Sequence, residues 1–477
     1  MADPTPLAPM NTEAFKDCDI RGTYPEQVNE DIFARVGREL GRLLADEPAD
    51  GLTGPAIVIG GDGRYSTRTL MDATIRGLAG SPIDIVDLGY PLPTPAIYWA
   101  KDHLGAQASA IVTASHNPAN WDGLKLMTGD MPPRPDDIQL LADRASASAE
   151  VPSSGPGRVS KLETIAAAYM AAMRARFGGQ RLDRVKVVVD PGNGCMSGVA
   201  AQVFRDLGAE VVAIYDEIDG SFSQRNPDCA VAENLSVLVQ TVIDEGADFG
   251  IGFDGDGDRI SVVDDRGRIL GSERLAMLLF AGAVPAEGRN VILDIKCSMH
   301  LDRAIAAHGG TARRCKSGHA YMKRMVLEEN AVAGVELSGH VFLGEINGRD
   351  DPLHTSLLLA GWLAAQDRPL SALVDAFAQM FMTDDIRVAM DKAEIDALLA
   401  ACAEGFDGAE VQTIDGVRLV WPNGWLLVRR SITEPKVTIR LEGDTAQDLR
   451  RIGTTFADRF TQLRPYIEGA TRKVEDL

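Results

Sequence analysis

Three aspartates, Asp254, Asp256 and Asp258, stand at alternate positions in GFDGDGDR (252–259), with only glycine between them. Carboxylates this close repel one another unless a cation or a proton relieves them. Glycines at 255 and 257 let the backbone curl so that the three side chains converge. Three carboxylates leave coordination positions open, which suits Mg²⁺ better than a closed structural site. A calcium EF-hand loop also uses alternating acids, but here Arg259 takes the place of its turn glycine and Asp265 that of its bidentate glutamate. The flanks, FGI and ISVVDD, read as strands rather than helices. The plain alternative is a solvated acidic turn. Arg259, beside the acids, is placed to hold a phosphate oxygen.

Four other stretches carry chemistry-bearing side chains. In IVTASHNPANWDGLK (111–125) an apolar strand ends in a polar turn holding Ser115, His116 and Asn117. The sequence has no Ser-His-Asp pattern or G-x-S-x-G elbow around Ser115, which argues against acyl chemistry. A phosphorylated Ser115 would instead bring oxygens to a Mg²⁺ shell. FKDCDIRGTYP places Arg21 in a turn, where a salt bridge is as natural as a ligand. GVELSGH offers Glu336, Ser338 and His340 for sugar hydroxyls, and CKSGHAYMK adds Lys316, His319 and Lys323. Finally, RRSITEPK gives Arg429, Ser431 and Thr433 after a strand, together with backbone N–H groups suited to an anion.

These residues need a scaffold. Three segments share one plan of apolar strand, Gly/Asp/Ser loop, amphipathic helix and often a second strand: AIVIGGDGRYSTRTLMDATIRGL…IDIVDLG, VKVVVDPGNGCMSGVAAQVFRDLGAEVVAIY and VILDIKCSMHLDRAIAAHGG. Val185–Val189, Lys186 apart, is apolar without alternation, as in a strand covered on both faces. The alternation predicts α/β domains with mixed or parallel sheets and an architectural repeat. ASASAEVPSSGPGR reads as a linker. Near the end, VRLVWPNGWLLVRR predicts a hairpin turning at Pro422-Asn423-Gly424, and KVTIRLE a further strand. A closing helix is expected to carry Leu449, Ile452, Phe456, Phe460 and Leu463 on one face.

With 477 residues, the chain has room for three or four domains. Its net charge of −21 argues against nucleic-acid and anionic-membrane partners, while leaving room for a local basic cleft. MADPTPLAPMNTEAF lacks the pattern of a secretory leader. LAMLLFAGAV and SLLLAGWLAA are too short to span a bilayer. Six scattered cysteines without a C-x-x-C pair read as reduced, so a cytoplasmic location is expected.

In order along the chain, DCDIRG, TASHNP, DGDGDR, GVELSGH and RRSITEP resemble the α-D-phosphohexomutase superfamily, and most closely its bacterial phosphomannomutase/phosphoglucomutase branch. The likeness covers nearly the whole chain. It implies four domains around a central cleft: 1–157 with the phosphoserine loop, 158–268 with the metal loop, 269–380 with the sugar loop, and a smaller α+β domain, 381–477, with the phosphate loop. Ser115 would be the phosphoserine, with His116 beside it. One Mg²⁺ would be held by Asp254, Asp256, Asp258 and a Ser115 phosphate oxygen. Arg259 would hold the transferring group, and Arg21 and Lys125 would stand near it. Glu336 and Ser338 would bind sugar hydroxyls, with His340 in the same loop. Arg429, Ser431 and Thr433 would bind the idle phosphate, and His319, Lys296 and Lys323 would lie on the substrate side.

The resemblance implies reversible phosphate transfer between the 1- and 6-positions of mannose or glucose phosphates, through a hexose 1,6-bisphosphate, by a monomer or small homo-oligomer. The alternatives are a phosphoglucosamine mutase and a non-catalytic sugar-phosphate-binding relative. Ile432, where relatives carry Asn or Gly, and Val335, where they carry Gly, are departures that bear on substrate preference.

Overall fold

The computed structural model describes residues 10–46, 54–148, 155–431 and 436–475. Much of the expected linker, together with Ile432 and Thr433, lies outside the described residues.

One strand path recurs in three sheets. In the first, Ile57–Gly61 pairs in parallel with Asp84–Gly89 on one side and Ala108–Val112 on the other, and Trp121–Thr128 returns antiparallel to the latter. In the second, Lys186–Asp190 takes the central place between Glu210–Ala213 and Phe249–Phe253, and Ile260–Asp264 returns. In the third, Asn290–Asp294 lies between Thr311–Cys315 and Ala333–Val335, and Val341–Leu343 returns. Helices fill the crossovers between parallel strands, as right-handed βαβ units require. Ile57–Gly61 and Phe249–Phe253 are buried along their whole length, so their lack of alternation reflects cover on both faces.

This repeat explains where the motifs fall. The turn into each returning strand carries TASHNP in the first sheet, DGDGDR in the second and ELSGH in the third. The first sheet also gains edge strands: Ile20–Thr23 pairs with Trp121–Thr128, and Arg158–Lys161 pairs with Asp84–Gly89. The chain thus contributes to that sheet beyond residue 157. The second and third units share one apolar core, which includes Val187, Phe249, Val291 and Leu353.

The last sheet is antiparallel, and its Val417–Trp421/Gly424–Arg430 hairpin turns at Pro422-Asn423-Gly424 as read from sequence. The closing helix differs from expectation. It runs Ala446–Arg459 with Leu449, Ile452 and Phe456 buried, whereas Phe460 and Leu463 follow it in non-helical backbone and a short 3₁₀ turn. A second helix, Arg464–Glu475, then begins. Pro465, which lacks a backbone N–H and suits a helix's first turn, favours the restart. This domain meets the third through Trp425, Leu427 and Ile295. Buried Glu442, which accepts from Trp425 Nε1 within the last sheet at 2.5 Å, also accepts from Met299 N at 2.8 Å and from Ser298 Oγ across that seam. Among the described residues no helix is long and apolar enough to cross a membrane.

Candidate active site

The turns of the first two sheets meet. Ser115 is buried, with φ of 54°, an uncommon conformation for a residue other than glycine. Its N–H donates to Thr113 Oγ1 at 2.8 Å. Its Oγ donates to Asp254 Oδ2 at 3.1 Å and lies 3.3 Å from His116 Nδ1. Gly255 permits the approach: a Cβ there would stand 2.7 Å from the Ser115 carbonyl oxygen.

Asp254, Asp256 and Asp258 are buried, with one carboxylate oxygen from each within 4.8 Å of the others. Asp254 Oδ1 accepts the backbone N–H groups of Asp258 and Arg259 at 3.0 and 3.1 Å, which curls the turn. Asp256 Oδ2 accepts from Thr94 Oγ1 and Lys125 Nζ, each at 2.7 Å, and Lys125 Nζ also reaches Asp258 Oδ2 at 2.5 Å. Oδ1 of Asp256 and of Asp258 is buried without a hydrogen-bond partner. An all-oxygen set with orphaned buried carboxylate oxygens fits a hard divalent cation such as Mg²⁺.

Electrostatics separate Asp254 from Asp256. Burial, then Asp258 and Asp256, push the Asp254 pKa well up. Burial also presses Asp256 upward, but Lys125, Thr94 and Arg21 together outweigh it and the net direction is down. Burial alone would lower the Lys125 pKa; Asp256 and Asp258 reverse this and keep it charged. Burial, with Arg259 and Arg21 nearby, drives the His116 pKa far down, so its ring is neutral.

The third sheet's turn closes the other side. Ile260 N donates to Gly339 O at 3.2 Å, linking the metal loop to the sugar loop. Arg259 Nε donates to His340 Nε2 at 2.9 Å, so that nitrogen is an acceptor. Burial lowers the His340 pKa, but Asp258 and Asp350 outweigh burial and Arg259, and the net direction is up. The Arg259 bond limits that rise, because only the neutral ring can accept it. Arg21, Ser115, Lys125, Arg259, His319 and His340 line one pocket with Cys18 and Tyr98. Glu336 Oε2 and Ser338 Oγ are buried without a protein hydrogen-bond partner.

Other expected residues sit elsewhere. Lys296 Nζ faces Asp294 at 3.7 Å, and it is not among the residues lining this pocket. Lys316 lies 4.0 Å from Asp17 and packs on the Tyr321 ring. Arg429 is nearly buried, 2.9 Å from Asp415, and Ser431 N donates to Lys436 O. Burial lowers the Lys316 pKa, but the Tyr321 hydrogen bond and nearby Asp415 oppose it, and the net direction is up.

Four family models match along the chain: phosphoglucomutase/phosphomannomutase alpha/beta/alpha domains I, II and III at residues 12–151, 167–267 and 273–381, and the C-terminal domain at 386–459. The chain belongs to this family. It is 33% identical to a phosphomannomutase/phosphoglucomutase of Pseudomonas putida over 95% of this chain and 96% of that one. It is 32% identical to a phosphoglucomutase of Neisseria gonorrhoeae over 94% and 97%. A crystal structure of a phosphoglucomutase/phosphomannomutase family protein from Burkholderia thailandensis superposes with a TM-score of 0.85 at 33% identity, covering 97% of this chain and 99% of that one.

Family membership and geometry together draw in residues that sequence reasoning passed over. Arg64, in GGDGRYS, is buried and donates to the carbonyls of Ser115, Asn117, Pro118 and Trp121, with Asp62 fixing its Nε at 2.9 Å. Its position after the first unit's strand was the available signal. Thr94, which holds Asp256, has no local signature. Asp350, wholly buried, lies 2.9 Å from both His319 Nε2 and His340 Nδ1.

Proposed function

We propose that this hexose-phosphate mutase carries its transferable phosphoryl group on Ser115. The observation that supports this is the buried approach of Ser115 Oγ to Asp254, beside two carboxylate oxygens without partners. In the transfer, a sugar hydroxyl oxygen bonds phosphorus while the bond from phosphorus to Ser115 Oγ breaks. Net, the hydroxyl proton passes to Oγ. The bisphosphate then returns its other phosphate to Ser115 by the reverse exchange.

Asp254, Asp256 and Asp258 would hold Mg²⁺, which would supply charge neutralisation for the transferring group. The chain does the positioning, which is most of what phosphoryl transfer needs. Arg21 and Arg259 line the pocket and bring positive charge to it. Lys125 adds a permanent positive charge beside Asp256 and Asp258. Glu336 and Ser338, with an acceptor and a hydroxyl free, grip adjacent sugar hydroxyls remote from C2, so glucose and mannose phosphates both fit. Arg429 and Ser431 hold the phosphate that is not reacting.

Offering the 1-phosphates of glucose, mannose and glucosamine, each with and without chelator, tests this reading. Formation of glucose and mannose 6-phosphates, lost with chelator, is expected. A preference for glucosamine 1-phosphate overturns the sugar assignment, and binding without exchange overturns the catalytic one.

A further inference from the structure

A second cluster adjoins the aspartate loop and differs from it in chemistry. His319 Nε2, His340 Nδ1, Asp350 and Asp258 bring one ligand atom each to within 4.8 Å of one another. They come from four places: the start of helix His319–Glu328, the sugar loop, the edge strand Arg349–Asp350 and the aspartate loop. Asp350, Asp258 and His340 are at most 2% exposed. Both imidazole nitrogens lie 2.9 Å from the same Asp350 oxygen, and His340 Nδ1 is 3.8 Å from Asp258 Oδ1. Asp350 Oδ1 and Asp258 Oδ1, by contrast, are buried without a hydrogen-bond partner. One Asp350 oxygen thus draws both rings together, while its other oxygen and Asp258 Oδ1 remain free to take a ligand.

We propose that His319, His340, Asp350 and Asp258 form a second divalent-metal site, selective for Zn²⁺ and similar transition ions. Two imidazoles and two carboxylates make the mixed nitrogen–oxygen set that such ions take in tetrahedral geometry. Ligand atoms in that geometry stand about 3.3 Å apart, within the spread seen here. Two carboxylate charges balance the ion. Mg²⁺, which prefers oxygen and octahedral geometry, is directed to the neighbouring aspartates instead. Asp258 Oδ1, which Lys125 leaves free and which lies 3.8 Å from His340 Nδ1, would bridge the two sites.

Loading the site has a consequence for Arg259. Metal on His340 Nδ1 places the ring proton on Nε2, which can then no longer accept from Arg259 Nε. A transition ion therefore immobilises both imidazoles that face the pocket and releases Arg259 from its partner.

Co²⁺ is the probe, added to the full-length protein in excess Mg²⁺. One Co²⁺ retained per chain, with the intense visible bands of a four-coordinate nitrogen-containing site, is expected. His319→Gln and Asp350→Asn should each abolish those bands, while Asp254→Asn keeps them. His319 is the most exposed ligand, so its variant is the one least exposed to a folding defect, checked by circular dichroism. Co²⁺ fully displaced by Mg²⁺, or bands unchanged in folded His319→Gln, overturns the proposal. The readout needs no turnover, so its failure is separate from any failure of the mutase assignment.

Discussion

Ser115 Oγ and Asp254 Oδ2 stand 3.1 Å apart, although 139 residues separate them in sequence. Two turns of the same topological kind, from two copies of one repeat, make that contact. If Ser115 carries the phosphoryl group, Ser115→Ala should lower mutase turnover by roughly a thousandfold or more. Thermal unfolding should change little, since the Thr113 and Arg64 bonds to this residue use backbone atoms. Peptide mass spectrometry should find phosphate on the 111–125 segment of the wild type and none in the variant. Full activity in Ser115→Ala would end the assignment.

Arg64 holds the turn from behind. Its Nη1 and Nη2 donate to four carbonyls at 2.6–3.1 Å, and Phe222 covers the guanidinium at 5.0 Å. Lysine carries the charge but not the fork, so it cannot reach all four acceptors. Arg64→Lys should keep the fold and lower kcat by about a hundredfold, the scale of a misplaced reacting group. Arg64→Met, which strands Asp62, should destabilise the protein by about 3–5 kcal/mol in urea unfolding. A Lys variant with wild-type kcat would show that the clamp is not needed for positioning.

Metal binding at the aspartate loop should expel a proton. Burial and two neighbouring carboxylates hold Asp254 up, favouring its neutral form, whereas a bound cation requires the anion. Mg²⁺ affinity should therefore increase as pH rises, and fall as pH drops and Asp254 takes its proton back. Calorimetric titrations in buffers of different ionisation enthalpy would count the proton released. Binding heats independent of buffer would refute this coupling.

The chemistry was more legible in the sequence than its supports. Asp254, Asp256 and Asp258 declare themselves because nothing but a cation or a proton makes their spacing tolerable, and strand-like flanks set the turn. TASHNP and ELSGH are readable as polar turns after apolar strands. Thr94 and Asp350 were not, because a lone Thr or Asp carries no local pattern; each gains meaning from a partner far away in the chain, Asp256 and the two histidines. The repeat was visible as alternation, but the equivalence of the three turns needed the strand pairings. The closing helix misled because Phe460 and Leu463 keep helical spacing while their backbone does not.

Lys323 offers a test of the cleft's electrostatics. It is buried, 4.2 Å above the Tyr98 ring, and burial lowers its pKa from 10.5 to about 8, with Asp350 opposing and Arg349 assisting the fall. At pH 7 the folded protein thus carries a desolvated ammonium, at a cost on the order of 3 kcal/mol. Between pH 8 and 10.5 the unfolded chain keeps the proton that the folded chain has lost, so this group makes stability rise with pH across that window. Below pH 8 the penalty is present in full. Lys323→Met should therefore be more stable than wild type at pH 7, with the gap closing as pH approaches 10.5. Urea unfolding of both proteins at pH 7 and pH 10 measures it. A gap that stays constant with pH would mean that the ammonium finds compensation in the cleft and that its charge is not destabilising.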